Sequence, residues 1–508
     1  VNTAVRTRRR RHVLIAVAIA WAAVVSFVLA PSFARWVSEP SGGSTPSATS
    51  PVADQFADLK LMDYYPSNAA WTYMWTKWNP ARVDGDFAKI AALGANSVRL
   101  NIEPDTFGFP HPSTSMTDEL AAAIKAASAH GLTVQLTLFD WWDSYGNKSG
   151  SDEWVKALLA PYSSDFEIAF IDVKNEIDPG DAAAMTWLEH ELPVVKSAAG
   201  SDPVTVSVTG SNLLGNLASV RRQLGDSQPD FYDIHYYDQS EHALATFEQA
   251  KSLVSPLPLF IGETGKTTGK GGAANVTYDE QDLYLRSVEW AAQAAGLPDA
   301  APWIFEDIES TGVPSNANQA GGELDFGLFT DGGNAKPAAA SIKALFQSGT
   351  ISPGINGDFS VGNGTDVADW IPSRANGAKL AWDETVGHDA AGSVRLSDTG
   401  TSADGNPAYY MAPVVQPTAA GQDFEMTAWA KGEDASGENR IAICWFDANG
   451  TYLSESDSPV LATGTTDWQQ LTVTSQSPSG AAYELIYLKS GGNTGTVYFD
   501  DVTFAKEG

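Results

Sequence analysis

The sequence predicts an α/β domain, a closed (β/α)8 TIM barrel, followed by a C-terminal antiparallel β-sandwich. Three observations predict it. Between residues 54 and 348 short apolar runs alternate with amphipathic stretches, the pattern of parallel strands joined by helical crossovers. Eight such runs within that span fit a barrel in both count and length. After about residue 350 helical periodicity fades, Gly, Thr, Ser and Asn rise, and short alternating segments take over, as in a sandwich of ordinary size.

The elements follow in chain order. Arg6 and Arg8 to Arg11 precede an apolar stretch from Val13 to Ala30, and Ser32 and Ala34 offer small residues at a cleavage site. Residues 1–34 therefore read as a signal peptide or a signal anchor, and the body is expected to be secreted or extracellular. If the segment stays uncut, residues 13–30 are long enough to tether the protein to a membrane. Residues 35–53, rich in Pro, Gly, Ser and Thr, read as a linker. The barrel strands are expected at Leu59–Tyr64, Asn96–Ile102, Leu132–Phe139, Ile168–Val173, Val204–Val208, Phe231–His235, Leu257–Gly262 and Ala301–Phe305. Helical patterns between them include Asp86–Leu93, Asp118–His130, Ala182–Ala198, Glu241–Leu253 and Tyr278–Ala295. A doubly wound open sheet is the alternative, but no Gly-rich phosphate turn follows the first strand. Ser352-Pro353-Gly354 marks the joint, and residues 355–508 form the sandwich, with strands at Phe424–Ala430, Ile441–Phe446, Gln469–Thr474, Glu484–Leu488 and Thr496–Phe499.

Composition narrows the function. The 508 residues are too many for one ordinary core. A net charge of −31 speaks against nucleic acid, whose phosphates are held by Lys and Arg, and leaves a neutral polysaccharide unrepelled. The one cysteine, Cys444, rules out an intramolecular disulfide and any CxxC site, and its strand context suggests a buried thiol. A monomer is expected.

Two segments carry the chemistry. Ile171 to Glu176 and Leu259 to Gly265 each put a glutamate just past an apolar, strand-like run. Barrel chemistry is done at the C-terminal strand ends, so Glu176 and Glu263, after the fourth and seventh strands, face one mouth. Two carboxyl groups about 5 Å apart can cut a glycosidic bond through a covalent intermediate. One must be an ionised nucleophile and the other a protonated acid, whose pKa is expected to be raised by poor solvation or a neighbouring negative charge.

The residues Asn96-Ser97-Val98-Arg99-Leu100, Asn175-Glu176, His235-Tyr236-Tyr237, Gly262-Glu263 and Trp303 resemble the ordered motif set of glycoside hydrolase clan A, family 5 in particular. The resemblance implies a retaining β-glycosidase of the cellulase or β-mannanase type, with Glu176 as acid/base and Glu263 as nucleophile. It further implies that Asn175 bonds the sugar 2-hydroxyl, that Arg99 and Tyr237 hold the nucleophile ionised, and that Trp303 is the platform under the cleaved sugar. His235 shares a strand side with Tyr237 and joins the substrate-binding set. The third strand ends Leu138-Phe139-Asp140-Trp141-Trp142, which looks closer to the β-mannanase branch and makes Trp141 and Trp142 candidate subsite platforms. His111, Glu306 and Asp307 have weaker claims on the cleft. No metal or cofactor is implied for catalysis.

The final segment, Trp468-Gln469-Gln470 and Gly495 to Val502 with Asn356-Gly357-Asp358-Phe359 at the start, resembles carbohydrate-binding modules of the family 4, 9 and 22 type. That resemblance implies one structural Ca2+ near Asp501 and sugar-stacking candidates at Trp370, Trp382, Trp429, Trp445 and Tyr452. The expected function is hydrolysis of a β-linked polysaccharide, glucan or mannan. A transglycosylase on the same fold and a non-catalytic polysaccharide-binding protein are the alternatives.

Overall fold

A computed structural model of the chain describes residues 56–506, apart from 270–275, 316–321, 350–354, 361, 368, 374–377, 401–406, 413–417, 419 and 448–450. The export segment, the linker and the Ser352-Pro353-Gly354 joint lie outside the described residues. Among the described residues no helix is long and apolar enough to cross a membrane.

The first part is the barrel. Strands β1 (Leu61–Asp63), β2 (Ser97–Asn101), β3 (Thr133–Thr137), β4 (Ile168–Asp172) and the first half of β5 (Val204–Thr205) pair parallel in chain order. The second half of β5 (Ser207–Val208), β6 (Tyr232–Tyr236) and β7 (Leu259–Thr264) continue the ring. Every residue of β2, β4, β6 and β7 is buried, because parallel strands are covered on both faces. The eighth position, 301–305, bonds three times to β7, through Ala301 N to Ile261 O, Thr264 N to Ala301 O and Trp303 N to Thr264 O, but only once to β1. Phe305 N donates to Asp63 O at 3.1 Å, which closes the ring.

Among the described residues eight longer helices supply the outer layer: α1 (Pro80–Leu93), α2 (Thr114–Ala129), α3 (Lys148–Leu159), α4 (Ala182–Ala199), α5 (Leu213–Leu224), α6 (Ala243–Val254), α7 (Tyr278–Ala294) and α8 (Pro337–Ser348). Helix α1 starts earlier than the apolar pattern suggests. The Asn79 side chain caps it by accepting from Arg82 N at 3.2 Å, and Pro80 suits the first helical position.

The second part is two five-stranded antiparallel sheets. One runs, in spatial order, Ile371–Pro372, Ala408–Ala412, Tyr483–Gly491, Glu438–Phe446 and Tyr452–Asp457. The other runs Lys379–Asp383, Ser393–Ser397, Thr496–Lys506, Asp423–Glu433 and Gln469–Gln476. Between them lie Phe359, Trp370, Tyr410, Trp445 and Phe499. Trp370 and Trp445 are thus core residues and cannot stack on a sugar, while Trp382 packs on the core edge and donates to Phe359 O at 2.8 Å. Cys444 is buried, as its strand context suggested.

The outer face of the first sheet is not free. Met411, Tyr483 and Leu485 form a cluster with Tyr409, Tyr487 and Trp290, which belongs to α7 and also touches the barrel core. Arg286 of α7 pairs with Asp369 beside that sheet. In α7 all seven residues from Leu283 to Glu289 are buried. A barrel helix ordinarily exposes its outer side; one enclosed all round has a second cover.

Candidate active site

The C-terminal ends of β2, β4, β6 and β7 converge at one mouth. Arg99 projects from β2 into the barrel and is 1% exposed. Its guanidinium donates to Glu263 Oε1, to Asn175 Oδ1 at 2.8 Å, to Thr137 Oγ1 at 2.8 Å and to Asp63 Oδ1 at 3.2 Å. Asp172 Oδ2 lies 3.8 Å away. Burial works against its charge, but Glu263, Asp63 and Asp172 outweigh that and keep it cationic. The other oxygen of Glu263 accepts from the Tyr237 hydroxyl at 2.8 Å. Burial and the Glu263 charge push that phenol far up, so it stays a donor.

Glu176 follows β4 in a left-handed conformation, φ 51°, which is strained for a residue with a side chain. Its backbone N–H donates to Ser207 Oγ at 2.8 Å, and the same hydroxyl reaches Asp172 Oδ2 at 3.1 Å. The strand-five neighbour thereby fixes how Glu176 leaves its strand.

His235 joins the two glutamates. Its Nδ1 lies 3.0 Å from Glu176 Oε1 and 3.2 Å from Glu263 Oε2, and one ligand atom from each of the three residues lies within 4.8 Å of the others. Burial opposes a charged imidazole, but Glu263 and the bond to Glu176 push His235 up to about 9. The reciprocal effect falls on Glu176. Burial would raise it, yet the His235 bond and charge, with Arg99 and Thr209, bring its carboxyl below the usual range. The upward shift expected for Glu176 is therefore not found: His235 holds its carboxyl down and is itself shifted up.

The remaining sequence candidates divide. Asn175 stands beside Glu176, with its amide oxygen held by Arg99. Trp303, in the closing segment, is 9% exposed and meets Tyr65 edge-on at 6.1 Å. Trp141 is 44% exposed, with a tilted contact to Trp71. Trp142 is not a platform: it is 5% exposed and packs against Phe109 and Phe139. In a chain turning at positive φ after β3, only one of two adjacent indoles can face outward. His111 is mostly exposed and faces Glu153. Glu306 is taken by Arg82 and Asp307 by Lys336.

Three acidic groups at the site had escaped notice. Asp63 and Asp172 hold Arg99 from the ends of apolar strands, and a charge in such a run was the available signal. Glu323 lies in the loop after the closing segment, the loop whose Phe326 meets Tyr237 edge-on at 5.9 Å. Burial and then the charges of Glu176 and Glu263 push it up to about 7. Nothing local in the sequence marks it.

Asp501, the expected Ca2+ residue, stands beside a histidine. Its Oδ2 lies 2.7 Å from His388 Nδ1, and the group around it is His388, Asp389 and Asp501.

A barrel whose mouth brings two carboxylates this close is equipped as a retaining O-glycosyl hydrolase. Residues 62–298 match the family described as cellulase (glycosyl hydrolase family 5). Residues 62–298 thus carry the glycosyl hydrolase family 5 domain, of the retaining, two-carboxylate kind. No curated protein matches the sequence. Similar solved structures include a GH5_18 variant from Streptomyces cattleya in complex with Manβ1-4GlcNAc, at 19% identity and a TM-score of 0.48, covering 57% of this chain and 80% of that one. Another is the exo-β-1,4-mannosidase Op5Man5 from Opitutaceae bacterium strain TAV5, at 19% identity and a TM-score of 0.46, covering 57% and 59%. A third is GH5_18 from Bifidobacterium longum subsp. longum, at 17% identity and a TM-score of 0.46, covering 57% and 79%.

Proposed function

We propose that the protein is a secreted hydrolase of a β-linked polysaccharide, glucan or mannan, with Glu263 as nucleophile and Glu176 as acid/base. The observation that carries this reading is the His235 Nδ1 shared between one oxygen of each glutamate at 3.0 and 3.2 Å. In the first step a Glu263 oxygen bonds to the anomeric carbon as the glycosidic bond breaks, and Glu176 gives its proton to the leaving oxygen. In the second, water attacks that carbon, its proton goes to Glu176, and Glu263 departs as carboxylate. The asymmetry of the two environments supports these roles. Glu263 receives Arg99 and Tyr237 on its two oxygens, which hold the carboxylate in one orientation for attack.

The acid's proton comes from His235. It passes from Nδ1 to Glu176 Oε1 across their 3.0 Å contact as the sugar enters and displaces water. Asn175, with its amide oxygen held by Arg99, turns its amide hydrogens to the sugar 2-hydroxyl. Trp141 is the outlying sugar platform, Trp303 presents an edge under the cleaved ring, and the sandwich contributes glycan contact through the exposed Tyr452.

A 2-deoxy-2-fluoro glycoside bearing an activated leaving group tests the assignment. It should leave a stable ester on the peptide containing Glu263, and Glu263→Ala should abolish sugar release. An ester on another residue, or unchanged release, would sink it. Glucan, mannan, xylan and galactan compared side by side identify the polymer, and product analysis with added sugar acceptors separates hydrolysis from transfer.

A further inference from the structure

Outside the barrel, between α3 and α4, lies a buried carboxylate without a hydrogen-bond partner. Glu191 is fully buried, and neither of its carboxylate oxygens has a hydrogen bond. An orphaned buried carboxylate is strongly disfavoured, so its surroundings call for an explanation. Beside it, His190 Nε2 and Asp152 Oδ1 lie 2.8 Å apart. One donor atom from each of Asp152, His190 and Glu191 lies within 4.8 Å of the others. The helices are held in register next to this group by the Trp187 indole donating to Ser151 Oγ at 3.1 Å.

We propose that Asp152, His190 and Glu191 bind a divalent transition-metal ion of the zinc type. One imidazole and two carboxylates are a donor set such ions accept, and three donors around an ion with bonds of about 2.1 Å stand roughly 3.4 Å apart. The 2.8 Å contact between His190 and Asp152 would open by about half an ångström to admit the ion, and the three donors already lie within 4.8 Å of one another. Two carboxylates balance a divalent charge, which gives the buried Glu191 the counter-ion it lacks. His190 and Asp152 are 38% and 24% exposed at their side chains, so an ion can enter from solvent and keep a water in its fourth position. Lys148 and Lys156 are the cations near Glu191. Lys156 Nζ reaches only the far oxygen of Asp152, at 3.8 Å, and Lys148 Nζ is bonded to Thr186 O. The ion would pin together the two helices that flank β4, the strand whose end carries Asn175 and Glu176.

The test uses the full chain, stripped with a chelator, dialysed and titrated with Zn2+ by calorimetry and elemental analysis. Because Glu176, His235 and Glu263 are also clustered, the reading is the difference between proteins. The parent should bind one more Zn2+ per chain than Glu191→Gln or His190→Ala, and Zn2+ should raise the melting temperature of the parent more than that of either variant. His130→Ala, which removes a surface histidine paired with Asp84 but with no third carboxylate, should behave as the parent. Should Glu191→Gln fail to fold, the partly exposed His190→Ala gives the same reading. Equal stoichiometry and equal Zn2+ response in parent and variants would overturn the proposal, leaving Glu191 a buried neutral acid.

Discussion

The charge on His235 makes the stability of the barrel depend on pH in a defined direction. Folding moves the imidazole from an ordinary value of 6.5 to about 9, so above pH 6.5 the folded state holds the proton more tightly than the unfolded chain. Its contribution is fully present below about 6.5, declines as pH rises through 9, and is gone beyond that. A rise of this size corresponds to roughly 3 kcal/mol. The depressed Glu176 expresses the same contact and is not counted again. The perturbation is His235→Gln, whose neutral amide can still donate to a carboxylate but has no proton to lose. Urea unfolding of parent and variant between pH 6 and 10, followed through the barrel transition, gives the difference curve. The parent should lose roughly 3 kcal/mol relative to the variant across that window. Parallel curves would refute a charged His235, and with it the proton route to Glu176.

Other consequences can be checked more briefly. Tyr237→Phe removes one charge-assisted hydrogen bond from Glu263; a loss of about 2 kcal/mol predicts a roughly thirtyfold fall in kcat/KM with the melting temperature little changed. The adjacent indoles should respond oppositely. Trp142→Ala should destabilise the fold by about 3–5 kcal/mol, whereas Trp141→Ala should leave stability within about 0.5 kcal/mol and raise KM roughly fivefold. Trp290→Ala removes the side chain shared by the two cores and should weaken the contact between the parts by about 2 kcal/mol. Scanning calorimetry should then show barrel and sandwich melting further apart than in the parent.

Much of the barrel could be read from the chain because its strands are buried on both faces and stand out as apolar runs. The closing segment was legible too, as the apolar run Ala301–Phe305; its single bond to β1, from Phe305 to Asp63, was not, since it is made only when the ring shuts. In the sandwich the long strands were visible by alternation. Lys379–Asp383, Ser393–Ser397 and Ala408–Ala412 are short and lie among turns, so their pairing is tertiary information. Glu176 and Glu263 were legible as strand-end carboxyls. The upward shift of His235 was not, because it depends on two contacts near 3 Å between residues 59 and 28 positions apart in the chain. Glu323 and the opposite exposures of Trp141 and Trp142 were invisible for a like reason: loop path decides them.

The enclosure of α7 bears on how this protein can be cut. A catalytic fragment ending near residue 349 would uncover Trp290 and take Asp369 from Arg286, turning an enclosed helix face into an adhesive strip. Such a fragment would be prone to self-association however intact its mouth. Swapping the sandwich for an unrelated module would fail in the same way. The smallest soluble form of the enzyme therefore includes the sheet that seats on α7, and its domain border is not a safe place for scissors.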